Sequence, residues 1–323
     1  MVSKRQKAPQ TKNARLDLAR VMGKNSSSRD NSTLHEECGV VGAYSFKKNG
    51  DVAPLLYRAL INLQHRGQDS AGMATFNGQK ITNHRELGLV GSVFNPEVLA
   101  KLAGSMGIAH VRYPTIGAGG PEDAQPFCVS YPMRGIALAH NGNIANYGTL
   151  RAFMESKGHQ LTSTCDSDLI LNLWCRHLQD AGLDLFKSTA SLMKDLDGSY
   201  SVCAITGNGE FVVFRDPKAI RPLCWGQTKD YIMFASESTA LDINDIPLMG
   251  DVEPGACLVI SSKGIVKKIV APGQGRSHCM FEYVYFSRPD SVQEGALIYN
   301  VRMELGRRLA KAAPVDADIV VPV

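Results

Sequence analysis

The sequence predicts a layered α+β fold. Two observations carry this. Short apolar runs bounded by Gly, Asn-Gly or Lys-Gly turns dominate the early and late parts of the chain, and most of the helical patterns gather between them. Strands grouped apart from helices pack as layers, whereas strict alternation would build a parallel βαβ sheet. A third observation concerns the core. The 323 residues are 44% apolar and 20% charged, the balance of a globular chain with a sizeable interior.

Residues 1–37 come first. They lack hydrophobic periodicity and hold eight Lys or Arg against four Asp or Glu. That predicts a disordered leader or propeptide ending at Cys38. It lacks the apolar centre of a secretory signal. An organellar transit peptide or a basic tail that touches a partner remains open. The leader also accounts for the whole net charge of +4. The rest of the chain is balanced and offers no basic excess for nucleic acid. No apolar run approaches the ~20 residues of a membrane-spanning helix.

The body, 38–272, opens with Cys38-Gly39-Val40-Val41-Gly42-Ala43, small and apolar, as in a buried strand. Leu55, Leu56, Leu60 and Leu63 recur at helical spacing between Val52 and Gln64. A polar turn, His65 to Gly72, leads into a strand over Met73–Phe76. Asn77-Gly78 predicts a hairpin with a return strand near Lys80–Asn83. A helix near Pro96–Ala103 precedes a strand over Gly107–Val111, and Gly117-Ala118-Gly119-Gly120 reads as a mobile loop. The strand Gly135–Ala139 is predicted to break at His140-Asn141-Gly142-Asn143. Helices follow near Tyr147–Ser156, Asp166–Leu178 and Asp184–Leu196. Strands return at Tyr200–Thr206, Phe211–Phe214, Tyr231–Ala235, Ala256–Ile260 and Ile265–Val270. Residues 273–323 start with a Gly- and Pro-rich linker. A helix then carries Leu297, Val301, Leu305 and Leu309 on one face, and Asp318–Val323 reads as a parallel-type buried strand. One helix and one strand cannot close a domain, so this stretch reads as the incomplete start of a second one.

Cys38 is the candidate nucleophile. A thiol is already a good nucleophile near neutral pH. If Cys38 became the first residue, its α-amine, with a pKa near ~8, would supply a general base. The plainer role of a small buried hydrophobe, the commoner one for a free cysteine, is also open to it. The eight cysteines include no CxxC pair, which argues against a zinc site and for a reducing compartment such as the cytoplasm. Hydrolysis of a glutamine amide also needs donors for a tetrahedral oxyanion, which an Asn side chain and the next Gly N–H supply. It needs a planar cation for the α-carboxylate and a carboxylate for the α-ammonium. Asn141-Gly142, Arg112 and Asp166 have those chemistries at predicted strand ends and a helix start. Each also has an ordinary role available, as a turn, a surface ion pair or a helix cap.

Five stretches together decide between these roles. Cys38–Gly42, Gln64–Gly72, His110–Thr115, Ala139–Asn143 and Asp166–Asp168 resemble the signature set of the class II glutamine amidotransferases. Phe214–Pro217 with Ile220–Leu223, and Phe281–Ser291, are similar to the branch of that family that transfers ammonia to phosphoribosyl pyrophosphate. The resemblance covers residues 38–323. It implies a four-layer αββα sandwich of the N-terminal-nucleophile hydrolase type, followed by the start of an α/β phosphoribosyltransferase domain. It implies a γ-glutamyl thioester on Cys38, an oxyanion hole from Asn141 and Gly142, and a glutamine clamp from Arg112 and Asp166 with help from Thr115. Arg66 would sit in the site wall and order the loop around 112–120. The product would be 5-phosphoribosylamine, at the first committed step of purine synthesis. Mg²⁺ would serve the phosphoribosyltransferase part. Some relatives hold a 4Fe–4S cluster, for which Cys279 is a candidate ligand. L-Glutamine is the implied small-molecule partner, phosphoribosyl pyrophosphate is a partner only of the complete protein, and a homo-oligomer is implied. A class II glutaminase with another acceptor, and a non-catalytic regulatory chain, stay open from the residues alone.

One outcome tests the nucleophile assignment at the level of sequence. N-terminal sequencing of an active preparation should read Cys38 first, and an active chain that retains Met1 would overturn it.

Overall fold

The computed structural model describes residues 38–113, 120–273 and 275–321. The leader expected over 1–37, Thr115 and most of the glycine loop at 117–120 lie outside the described residues.

Cys38 leads straight into β1 (Gly39–Ser45), which is buried along its length except for half-buried Tyr44. A run of Gly, Val and Ala with no polar face suits a strand covered on both sides. α1 (Ala53–Asn62) carries Pro54 in its first turn, where the missing N–H costs nothing. β2 (Ser70–Phe76) and β3 (Ile81–Leu87) form the hairpin expected at Asn77-Gly78. The short α2 (Val90–Val93) and α3 (Pro96–Lys101) follow, the latter capped by Asn95, which accepts from the Val98 N–H. β4 (Met106–Arg112) ends at Arg112. After β5 (Phe127–Val129) and β6 (Ile136–Ile144) come α4 (Tyr147–Ser156), α5 (Asp166–Asp180) and α6 (Leu185–Asp195). β7 (Gly198–Thr206), β8 (Phe211–Arg215), β9 (Cys224–Gln227) and β10 (Tyr231–Ala235) return to strand. The short α7 (Thr239–Asp242) leads to β11 (Leu248–Asp251), β12 (Ala256–Ser261) and β13 (Gly264–Ile269). A small hairpin over 292–297 then precedes α8 (Ile298–Ala312).

The strands make two antiparallel sheets, ordered β11-β9-β10-β1-β4-β2-β3 and β13-β12-β8-β7-β6-β5. Their inner faces share one core, with Val40, Ile108, Ala139, Phe211 and Phe234 among its members. The outer face of the first sheet packs Val41 and Met73 against Leu56 and Leu60 of α1 and Leu241 of α7. The outer face of the second packs Tyr200 and Phe214 against Leu169 and Trp174 of α5 and Leu192 of α6. Helix, sheet, sheet, helix is the αββα order. Val40 and Val41 show the strand period of two, one facing each core. The sheets approach closely at β1. A Cβ on Gly42 would lie 2.5 Å from Cζ of Phe211.

Three expectations change. β6 does not break at His140. It runs to Ile144 because β7 starts at Gly198 and supplies ladder partners, so Asn141 and Gly142 pair with Ser201 and Tyr200 inside the sheet. The polar letters mimic a loop because a partner strand is invisible in sequence. β5, β9 and β11 are additional strands of three or four residues, too short to show a period. No strand forms over Asp318–Val321, where Val320 and Val321 are exposed and no described strand lies alongside to pair with them. Beyond the linker, Glu282 and Ser291 are buried and bonded to Arg66 and Glu237 of the first 272 residues.

Phe211→Ala should cost ~3–5 kcal/mol, because the ring fills the contact between the sheets and little can collapse around β1. A denaturation midpoint unchanged from the unsubstituted protein would contradict this packing.

Candidate active site

Cys38 stands just before β1, in the middle of the seven-stranded sheet. β4 pairs with β1 so that Val111 faces Gly39, which sets Arg112 beside Cys38. The Cys38 thiol lies 3.9 Å from the Tyr113 carbonyl oxygen. Its own carbonyl accepts from Arg66 Nε at 3.0 Å. Burial pushes the Cys38 thiol above its ordinary value, and the Tyr113 backbone and the charge of Arg112 pull the other way. A thiol held protonated needs a base to take its proton before it attacks.

Asn141 reaches the same strand from the second sheet. Its Nδ2 donates to Ser236 Oγ at 3.2 Å, and Ser236 Oγ accepts from the Val40 N–H at 3.0 Å. Ser236, just after β10, therefore ties the Asn141 amide to the residue two after Cys38. Gly142 has φ +154°, and a Cβ there would lie 1.9 Å from the Ser199 carbonyl oxygen. Only glycine fits that close approach.

Arg112 is buried, with Nη1 3.4 Å from Asp69 and Nη2 3.4 Å from Asp123. Asp123 is itself buried and accepts from Ser163 Oγ and from the Thr164 N–H at 3.3 Å, both just upstream of α5. Asp166 opens α5. His140 Nδ1 lies 3.5 Å from Asp166 Oδ1 and 3.2 Å from Ser167 Oγ. Burial works to raise the Asp166 carboxyl, but His140 and neighbouring donors outweigh it and hold it below the usual range. Behind these, His110 of β4 sits 3.1 Å by Nε2 from the His140 carbonyl oxygen. Burial, then the charges of His140 and Arg112, push His110 down to about 3. Its imidazole is neutral at ordinary pH, with Nε2 as the donor.

The structure thus gathers Cys38, Asn141, Gly142, Arg112 and Asp166 around the ends of β1, β4 and β6 and the start of α5. Arg66 lies against the nucleophile residue through its bond to the Cys38 carbonyl, and its guanidinium is fully buried, with Nη1 2.6 Å from Glu237 and Nη2 2.6 Å from Glu282. The carboxylates raise it, more than offsetting the burial that disfavours its charge. Cys279 is half-buried, and among the described residues no group of three or more His, Cys, Asp or Glu is placed to hold a metal. An iron–sulfur cluster needs several thiolates together, and the described residues bring no such group to Cys279. Several members of this constellation were missed by sequence reasoning: Ser236, Glu237, Asp123, Gln125 and Glu282. Gln125 bridges the backbone of His140 from both ends of its amide, at 2.8 and 3.3 Å. The only sequence signal for Glu237 was a charged residue between two serines at a strand end.

A glutamine amidotransferase domain family matches residues 110–243. The chain is 44% identical over 292 residues to an amidophosphoribosyltransferase of Methanothermobacter thermautotrophicus, covering 90% of this chain and 61% of that protein. It is 36% identical over 288 residues to the amidophosphoribosyltransferase of Bacillus subtilis, covering 89% and 59%. Among solved structures, the glutamine phosphoribosylpyrophosphate amidotransferase of B. subtilis, in complex with ADP and GMP, matches with a TM-score of 0.79 at 34% identity, covering 87% of this chain and 60% of that one. A structure described as the allosteric regulatory enzyme of purine biosynthesis matches with a TM-score of 0.80 at 34% identity, covering 87% and 59%. The chain spans about 60% of the length of these relatives.

The neutral His110 makes a pH prediction. Its folded value lies far below the ~6.5 of an exposed histidine, so the unfolded chain binds the extra proton first. Its contribution to stability is present above pH ~6.5 and is lost as pH falls toward 3. Urea midpoints should therefore decline across that window, and His110→Gln should flatten the decline. An unchanged slope in the variant would show that His110 is not the group involved.

Proposed function

We propose that the chain belongs, over the part that it spans, to the amidophosphoribosyltransferase family of class II glutamine amidotransferases, and that residues 38–166 form a glutaminase centre that supplies ammonia to phosphoribosyl pyrophosphate. The observation that carries this is the convergence at the end of β1. One sheet brings a thiol and a planar cation side by side, the other brings an amide donor, and the start of α5 brings a carboxylate to the same point.

In this reading the Cys38 sulfur attacks the side-chain amide carbon of L-glutamine. The carbonyl π pair moves onto oxygen, where Asn141 Nδ2 and the Gly142 N–H hold the oxyanion. The tetrahedral species collapses by breaking the C–N bond, which leaves a γ-glutamyl thioester on Cys38. The thiol proton passes through the Cys38 α-amine, exposed once the leader is removed, to the departing nitrogen, which leaves as ammonia. Water then releases glutamate and restores the thiol. Arg112 receives the α-carboxylate. Its planar fork, beside Asp69 and Asp123 at 3.4 Å, matches a carboxylate in geometry. Asp166, kept ionised beside His140, faces the α-ammonium, and Thr115 would assist from outside the described residues. Mg²⁺ chemistry belongs to the phosphoribosyl acceptor half of the whole protein. The reading also implies a cytoplasmic homo-oligomer. Eight free cysteines fit a reducing compartment.

Glutamate release from glutamine, with and without phosphoribosyl pyrophosphate, tests the proposal. Cys38→Ala should abolish release. Asn141→Ala should lower kcat by ~10²–10³, as removal of one oxyanion donor does. Arg112→Lys should raise the glutamine KM by roughly tenfold, because a point charge replaces a planar fork. Unchanged turnover in Cys38→Ala would refute the assignment.

A further inference from the structure

Four buried charges lie behind Cys38, and they belong to distant parts of the chain. Arg66 stands in the turn between α1 and β2. Glu237 follows β10. Arg221 precedes β9. Glu282 opens a π turn, Glu282–Phe286, beyond the linker. Their side chains are at most 5% exposed.

The Arg66 guanidinium is shared three ways. Nε donates to the Cys38 carbonyl at 3.0 Å, Nη1 to Glu237 at 2.6 Å, and Nη1 and Nη2 to the two Glu282 oxygens at 3.0 and 2.6 Å. Arg221 Nη1 donates to Glu282 at 3.4 Å. Glu237 reaches back across the same junction. It accepts from the Arg288 N–H at 2.9 Å and from Ser291 Oγ at 2.6 Å. Two carboxylates, one from each side of the junction, therefore pin residues 282–291 to the strand ends.

A planar guanidinium cannot move one edge and leave the other in place. Its Nε edge fixes the peptide plane of Cys38, and its Nη edge is fixed by Glu282. From this we infer that Glu282 is a positioning residue for the Cys38 nucleophile, acting through Arg66, so that this one side chain, and not the docking of 282–291 in general, sets the reactivity of the thiol. The inference rests on the reading of Cys38 as the nucleophile. It adds that the segment beyond the linker tunes the site by one rigid side chain.

Two measurements on the protein processed to begin at Cys38 test this. The first is glutamine hydrolysis. The second is the pH dependence of iodoacetamide alkylation of Cys38, followed by peptide mass mapping, which needs no turnover. The charged side chains that reach the thiol are Arg112, Asp166 and Arg221, with Arg66 at its carbonyl. Glu282→Gln leaves the cluster with one uncompensated positive charge and loosens one edge of Arg66. kcat should fall about tenfold or more, the size of loss that a small misplacement of a reacting group produces, with the glutamine KM nearly unchanged. The alkylation midpoint should move to lower pH. Arg66→Lys keeps the cluster charge but loses the Nε donor, so it should lower kcat without moving the midpoint. Ser291→Ala removes a tie of the segment that does not touch Arg66 and should leave both readouts as they were. Unchanged kcat and midpoint in Glu282→Gln would overturn the inference. So would Ser291→Ala reproducing both effects, since general docking of the segment would then suffice. If Glu282→Gln does not fold, Arg66→Lys decides, and unaltered kcat there overturns the inference. Absence of glutamine hydrolysis in the unsubstituted protein would instead remove the enzymatic reading, while the alkylation arm would still report on the position of Cys38.

Discussion

The site hangs from the confinement of β1. This strand is covered by helices on one face and by the second sheet on the other, and its residues are almost all small. A Cβ on Gly39 would meet Val111 at 2.9 Å, and one on Gly42 would meet Phe211 at 2.5 Å. With so little space on either side, β1 has one register and one depth. Cys38 inherits that precision because it is the next residue back. The antiparallel ladder then carries it to Arg112 on β4, and Ser236 carries it to Asn141 across the gap between sheets.

Electrostatics around β1 follow a consistent rule. Each buried charge is met by an opposite charge or by several donors. Arg112 meets Asp69 and Asp123, Asp166 meets His140, and Arg66 meets Glu237 and Glu282. Burial drags Glu237 toward its neutral form, yet Arg66 and His65 hold it far below the usual carboxylate range. Ion pairs of this kind contribute modest net stability, because desolvation offsets most of the attraction. Removing one partner is costly for the same reason. They specify geometry more than they add free energy, which is what a site assembled from five separate stretches of chain requires.

Much of this was legible in the sequence. Small apolar letters after Cys38 meant a strand buried on both faces, the Asn77-Gly78 hairpin followed from turn chemistry, and most helices lay where leucine spacing put them. The chemistry of Cys38, Arg112, Asn141, Gly142 and Asp166 was legible as residue types and as a family pattern. What was not legible were the partners. Glu282 sits 216 residues from Arg66, and local spacing carries no information at such range. The same limit hid the continuation of β6 through Asn141, since the ladder that sustains it belongs to β7.

The sequence by itself thus determined the layers, the periodic faces and the inventory of reactive groups, because these follow from side-chain chemistry and short-range spacing. Only the tertiary structure decided which groups meet. It made Arg66 a buried link between Cys38 and Glu282, and it kept Asn141 inside a strand rather than after one. Both outcomes depend on contacts made when two sheets close on each other. The energy of such contacts resides in pairs, not in either residue alone.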